Sequence, residues 1–177
     1  MSPTTVAFLA LLAVLTMMGA EALVSRRNER NLRHRGAIEP PGDVYAVMQW
    51  VYPAVFVAMA AEGAISGPDP GSPTRAGLIL LVASKALKFW AIAALGPRWT
   101  FRVLTLPGEP LVDTGPYAFV RHPNYVAVVG ELVSMALLVG ARVTGPAAVV
   151  LFSVLLYKRI GVEDRALRHP PCSGAGR

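Results

Sequence analysis

TTVAFLALLAVLTMMGAEALV, residues 4–24, carries a single charge and is followed at once by Arg26, Arg27, Arg30, Arg33 and Arg35. At about 1.5 Å per residue a helix of this length covers about 30 Å, the thickness of a bilayer's hydrocarbon core. In hydrocarbon every backbone N–H and C=O has to be satisfied within the segment, so the stretch is helical. Ala20-Glu21-Ala22 has the small-residue spacing of a leader cleavage site, but a leader carries its basic residues before the apolar run and here they come after it. That order predicts a retained span whose C-terminal end lies in the cytoplasm.

Four more apolar runs follow: Val44 to Ser66, Arg75 to Gly96, Asn124 to Gly140 and Val143 to Lys158, the last two short and joined by a tight turn at Ala141-Arg142. Pro53 and Pro146 fall inside runs, where neighbouring helices absorb a kink. The whole chain of 177 residues is 54% hydrophobic and 16% charged, with mean hydropathy +0.47, whereas soluble domains carry about 25% charged residues. This excludes a disordered chain, a disulfide scaffold and most soluble enzymes. The expected class is all-α, a polytopic integral membrane protein with about five transmembrane helices. Residues 1–168 are expected to form one membrane-embedded domain and residues 169–177 a disordered tail. The lone Cys172 admits no intramolecular disulfide, and His34, His122 and His169 lack metal-ligand spacing, so no metal is expected.

The net charge of +6 is segregated rather than diffuse. Residues 25–43 hold five Lys or Arg, residues 97–123 hold three and residues 158–177 hold five. The other side of a five-span arrangement keeps only Arg75 and Arg142, with Lys85 and Lys88 inside the third span. Basic residues clustered this way mark the cytoplasmic face, so the N-terminus is expected outside and the C-terminus inside, with no nucleic-acid partner. Inside the membrane, Lys88 and Glu131 lie at similar depth and read either as a structural pair or as part of a substrate path. Lys85 and Glu62 snorkel or face the bundle.

Chemistry concentrates on the cytoplasmic side. Residues 97–123 are polar and broken by Pro and Gly, yet contain Trp99, Phe101, Tyr117 and Phe119, which argue against disorder. Those aromatics suit either an interfacial belt or a binding site. His122-Pro123 predicts a helix starting at Pro123, because the residue before Pro avoids helical geometry and Pro suits the first helical position. Arg159 and Glu163, four apart, share a helical face as a salt bridge or as a pair of substrate and cofactor contacts. No G-x-G-x-x-G, P-loop, His-Glu-x-x-His or G-x-S-x-G is present.

Gly115-Pro116-Tyr117, Arg121-His122-Pro123-Asn124-Tyr125 and Arg159-Ile160-x-x-Glu163-Asp164 together resemble the isoprenylcysteine carboxyl methyltransferase family, integral-membrane enzymes that use S-adenosylmethionine. The likeness runs from about Leu95 to Leu167 and includes Gly96-Pro97-x-Trp99-Thr100. A second likeness, in Arg26 to Ile38, is to small bacterial members associated with type III polyketide synthases, which methylate hydroxyls of alkylpyrones or alkylresorcinols. The resemblance implies a cytoplasm-facing cofactor site at Leu111, Val112, Tyr117, His122, Pro123, Asn124, Tyr125 and Glu163, with Glu109 loosely aligned to a polar contact. It implies a substrate-facing Arg159, a lipophilic or prenyl-like acceptor and a bacterial plasma membrane. Asp164 stands where a second Glu is common, and the chain has fewer spans than eukaryotic members. Related membrane reductases that use NADPH share the R-H-P-N-Y element, and a non-enzymatic membrane module is the remaining alternative.

Methyl transfer from a sulfonium is an in-line displacement that needs alignment and exclusion of water more than a strong base. A carboxylic acid is already ionised at neutral pH, whereas a simple phenol near ~10 wants a base. No residue here is an obvious strong base, which favours an acidic acceptor oxygen.

Overall fold

The computed structural model describes residues 2–68 and 74–168, so the tail from His169, with Cys172, lies outside the described residues. Five α-helices appear there: α1 (Pro3–His34), α2 (Tyr45–Ser66), α3 (Thr74–Leu95), α4 (Pro123–Val139) and α5 (Thr144–Arg168). Two short 3-10 turns, Gly96–Arg98 and Gly115–Ala118, lie in the connection between α3 and α4. Helices α1, α3 and α5 are long and apolar enough to cross a membrane, and α4 is apolar but only 17 residues long. Phe8, Leu78, Ile79, Val150 and Val154 point outward and are exposed, as a lipid solvent allows. This is an all-α membrane protein.

Two helices run past the spans read from hydropathy. With 32 residues, α1 is about 48 Å long and overshoots the hydrocarbon core, so its basic end from Ser25 projects beyond it. In the same way α5 carries Arg159 and Glu163 beyond its apolar part. At the other end, Pro146 sits in the first turn of α5, where a missing N–H leaves no bond unmade, so it produces no kink. That turn is capped from a distance: the Glu62 carboxylate accepts the backbone N–H groups of Arg142, Val143 and Thr144 at 2.8, 3.0 and 2.8 Å. Glu62 is therefore a helix cap rather than a snorkelling charge.

The core is built from α1, α2, α4 and α5 around Phe56, Met59, Leu132, Met135 and Phe152. Helix α3 packs most closely on α4, because Gly77 lets its backbone meet that of Leu138. Gly63 does the same for α2, where an added Cβ would lie 2.5 Å from the Val139 carbonyl oxygen. Gly63→Ala is expected to destabilise the fold by about 1–3 kcal/mol through overpacking, read as a lower midpoint of thermal unfolding in detergent.

Lys88 and Glu131 do meet, but within a larger group. The Lys85 ammonium lies 3.0 Å from carboxylate oxygens of both Glu21 and Glu131, and that of Lys88 lies 2.8 and 3.1 Å from the other two oxygens. The Tyr52 hydroxyl donates to Glu131 at 2.9 Å. Two positive and two negative groups from three helices thus cancel within the bundle, the arrangement in which charges are tolerated at membrane depth.

Candidate active site

Residues 96–122 form a roof over one end of the bundle, and buried polar side chains of α1 hold it there. Glu21, Ser25 and Asn28 lie at helical spacing on one face. Ser25 accepts the Phe101 N–H at 2.7 Å, and the Asn28 amide donates to the Trp99 and Gly96 carbonyls at 2.9 and 3.2 Å. The connector between α1 and α2 closes the other edge through an antiparallel bridge of Ile38 with Thr105. Glu39 reinforces it with Arg33 at 2.6 Å and Arg102 at 2.7 Å. Partial burial works to raise the Glu39 pKa, but these two hydrogen bonds win and hold the carboxyl below its ordinary range. Glu109 pairs with Arg35 and, at 3.4 Å, with Arg98 at the outer rim.

Helix α4 begins at Pro123 with His122 just outside it, as the X-Pro pairing dictates. Tyr125 in its first turn faces the projecting end of α5. The Arg159 Nε donates to the Tyr125 hydroxyl at 2.9 Å, and that hydroxyl donates to Glu163 at 2.6 Å. The phenol therefore links Arg159 and Glu163, and no direct ion pair joins them among the described residues. The His122 ring stacks on Tyr125 at 5.4 Å, with its nitrogens 3.7 Å from Glu163 and 3.4 Å from Asp164. Arg159 is only 5% exposed. Its guanidinium also donates to the Phe101 carbonyl and lies 3.5 Å from Asp43. Asp43 in turn accepts the backbone N–H groups of Tyr45 and Val103 at 3.1 and 3.2 Å.

Two cavities meet at this network. The inner one, about 460 Å³, runs into the bundle between apolar walls that include Met48, Val128, Phe152 and Leu156. The outer one, about 440 Å³, lies under the roof among Leu111, Val112, Arg98, Arg121 and Asp164. Tyr117, His122, Tyr125, Arg159 and Glu163 border both. Of the other expected site residues, Leu111 and Val112 line the outer cavity alone, Asn124 lines the inner one alone, and Pro123 is buried in the wall of neither. Burial raises the Tyr117 phenol well above its usual pKa, and the Glu163 charge adds to the effect, so Tyr117 stays neutral.

Sequence reading missed Asp43, Ser25 and Asn28. The 21-25-28 spacing in α1 was a visible polar stripe, but nothing near Asp43 links it to Arg159, which lies 116 residues further on.

The fold and site define a helical membrane protein with paired polar and apolar cavities joined at one end. The chain belongs to the isoprenylcysteine carboxyl methyltransferase (ICMT) family, whose model matches residues 77–169. It is 33% identical over 162 residues to the uncharacterized protein YpbQ of Bacillus subtilis (strain 168), covering 91% of this chain and 96% of that relative. An uncharacterized protein of Haemophilus influenzae (strain ATCC 51907 / DSM 11121 / KW20 / Rd) is 26% identical over 147 residues, 82% of this chain and 86% of that one. No solved structure matches.

Proposed function

We propose that the chain is an S-adenosylmethionine-dependent O-methyltransferase acting on an acidic oxygen, carboxylate or enolic or phenolic hydroxyl, of a lipophilic acceptor. The observation that carries this reading is the meeting of a charged cavity with an apolar one at Arg159, Tyr125 and Glu163. The outer cavity fits the cofactor chemically. Arg98 and Arg121 against Glu163 and Asp164 suit a zwitterionic amino-acid end, and Leu111 and Val112 suit a flat base. When bound there, S-adenosylmethionine supplies the methyl group on a cationic sulfur.

The chain's own residues align the reactants and keep water away. Arg159, fixed by Tyr125 and the Phe101 carbonyl, offers its fork to the acceptor oxygen. Glu163 and the 111–125 segment hold the donor. With Tyr117 a neutral phenol, the site suits an oxygen that is acidic before it arrives. The same basic residues orient the protein with its N-terminus outside and its site facing the cytoplasm of a bacterial cell. The cofactor then enters from water and the acceptor from the bilayer.

The test uses protein in nanodiscs with labelled S-adenosylmethionine and two acceptors side by side, a prenylated cysteine analogue and a long-chain alkylpyrone. Label on either supports methyl transfer and names the acceptor class; failure of the cofactor to bind sinks the reading. Glu163→Ala is expected to weaken cofactor binding by about 10- to 100-fold, since it removes a charged acceptor and leaves Tyr125 without its partner. Isothermal titration reads this directly.

A further inference from the structure

The inner cavity does not end in apolar side chains. Lys88 and Tyr52, two members of the buried charge cluster, form part of its wall at the end away from Arg159. Lys88 is 2% exposed. Its ammonium lies 2.8 Å from Glu21 Oε2 and 3.1 Å from Glu131 Oε1. Lys85 pairs with the same two carboxylates, both at 3.0 Å, but is not part of the cavity wall. Tyr52 fixes the Lys88 ammonium from the side, its ring centroid 5.6 Å away. Lys88 has three N–H donors but only two carboxylate oxygens within reach, and of the two lysines it is the one that borders the cavity.

We propose that Lys88 is an inner subsite that donates a hydrogen bond to a second, uncharged oxygen of the acceptor, a ketone, hydroxyl or ether. An uncharged group is required because the four surrounding charges already cancel, and an added anion would leave a net charge buried at membrane depth. The subsite is offset from the reacting oxygen along the axis of α4. Tyr125 touches Arg159 and Glu131 touches Lys88, and these two positions on α4 are six residues or about 9 Å apart. The acceptor is thus a lipophile with an acidic oxygen at one point and a neutral oxygen about 9 Å along it. This deepens the methyltransferase reading and rests on its placement of the acceptor in the inner cavity.

The probes are octadecanoic acid and the positional isomers of oxo-octadecanoic acid, with binding to the protein in nanodiscs followed by the fluorescence of Trp50 and Trp99, which line this cavity. The isomer that sets its ketone about 9 Å from the carboxylate is expected to bind about tenfold tighter than octadecanoic acid. Its carbonyl stretching band should move to lower frequency on binding. Two charge-balanced variants separate the lysines. Lys88→Met with Glu131→Gln should abolish the preference, and Lys85→Met with Glu131→Gln should keep it. Equal binding of all isomers and octadecanoic acid by the wild-type protein, an unshifted carbonyl band, or a preference that survives loss of Lys88 would each overturn the subsite. The underlying reading fails differently. If octadecanoic acid and every isomer leave the fluorescence unchanged, the inner cavity is not the acceptor site; if they bind and no acceptor is ever methylated, the subsite stands and the methyl transfer does not.

Discussion

Arg159→Ala is expected to lower kcat/KM for methyl transfer by about 10²- to 10³-fold while leaving the affinity for S-adenosylmethionine nearly unchanged. The asymmetry comes from what remains after truncation. Tyr125 still donates to Glu163, so the cofactor side of the network stays closed. Asp43 loses its cationic partner but keeps its two backbone N–H donors, away from the cofactor side. Only the acceptor side loses its charged donor. Arg159→Lys should recover part of the loss at most, because an ammonium keeps the charge but cannot hold Tyr125, the Phe101 carbonyl and an acceptor oxygen in one plane. Initial rates with labelled cofactor, paired with equilibrium titration, separate the two effects. Loss of cofactor affinity in Arg159→Ala equal to that in Glu163→Ala would refute the division of labour between them.

Glu131→Leu should be the most damaging change to stability, by about 3–5 kcal/mol or a fall in Tm of about 10 °C. It leaves Lys85 and Lys88 sharing Glu21 alone and takes the acceptor from the Tyr52 hydroxyl. The net positive charge then sits beneath Leu132 and Met135, which are themselves fully buried. Lys85→Met combined with Glu131→Gln restores neutrality and should recover most of the loss. Thermal unfolding in a single detergent reads both variants, and a Glu131→Leu protein as stable as the wild type would show that the four charges do not act as a unit.

Much of the fold was legible along the chain because hydrocarbon imposes a simple rule: apolar runs of sufficient length become helices with internally satisfied backbones. Hydropathy located the helices but mislaid their ends. The extensions of α1 to His34 and α5 to Arg168 are polar and basic, and they remain helical by propensity and by packing against the roof. Pro146 lies inside an apolar run, yet it makes no kink, because Glu62 from another helix sets the start of α5 just before it.

By itself the sequence determined the membrane class, the start of α4 at His122-Pro123 and the residue types of the site, since each follows from local sterics or from burial in lipid. Tertiary structure alone decided the partners. It turned the expected Lys88–Glu131 pair into a balanced group with Glu21 and Lys85, and put Tyr125 between Arg159 and Glu163. It also brought Asp43 to Arg159 and left Lys88 as the ammonium beside the cavity. The physical reason is one of range. Helix formation is decided within a few residues, whereas charge compensation and hydrogen-bond direction depend on atoms from segments far apart in the chain, which only the packed bundle brings together.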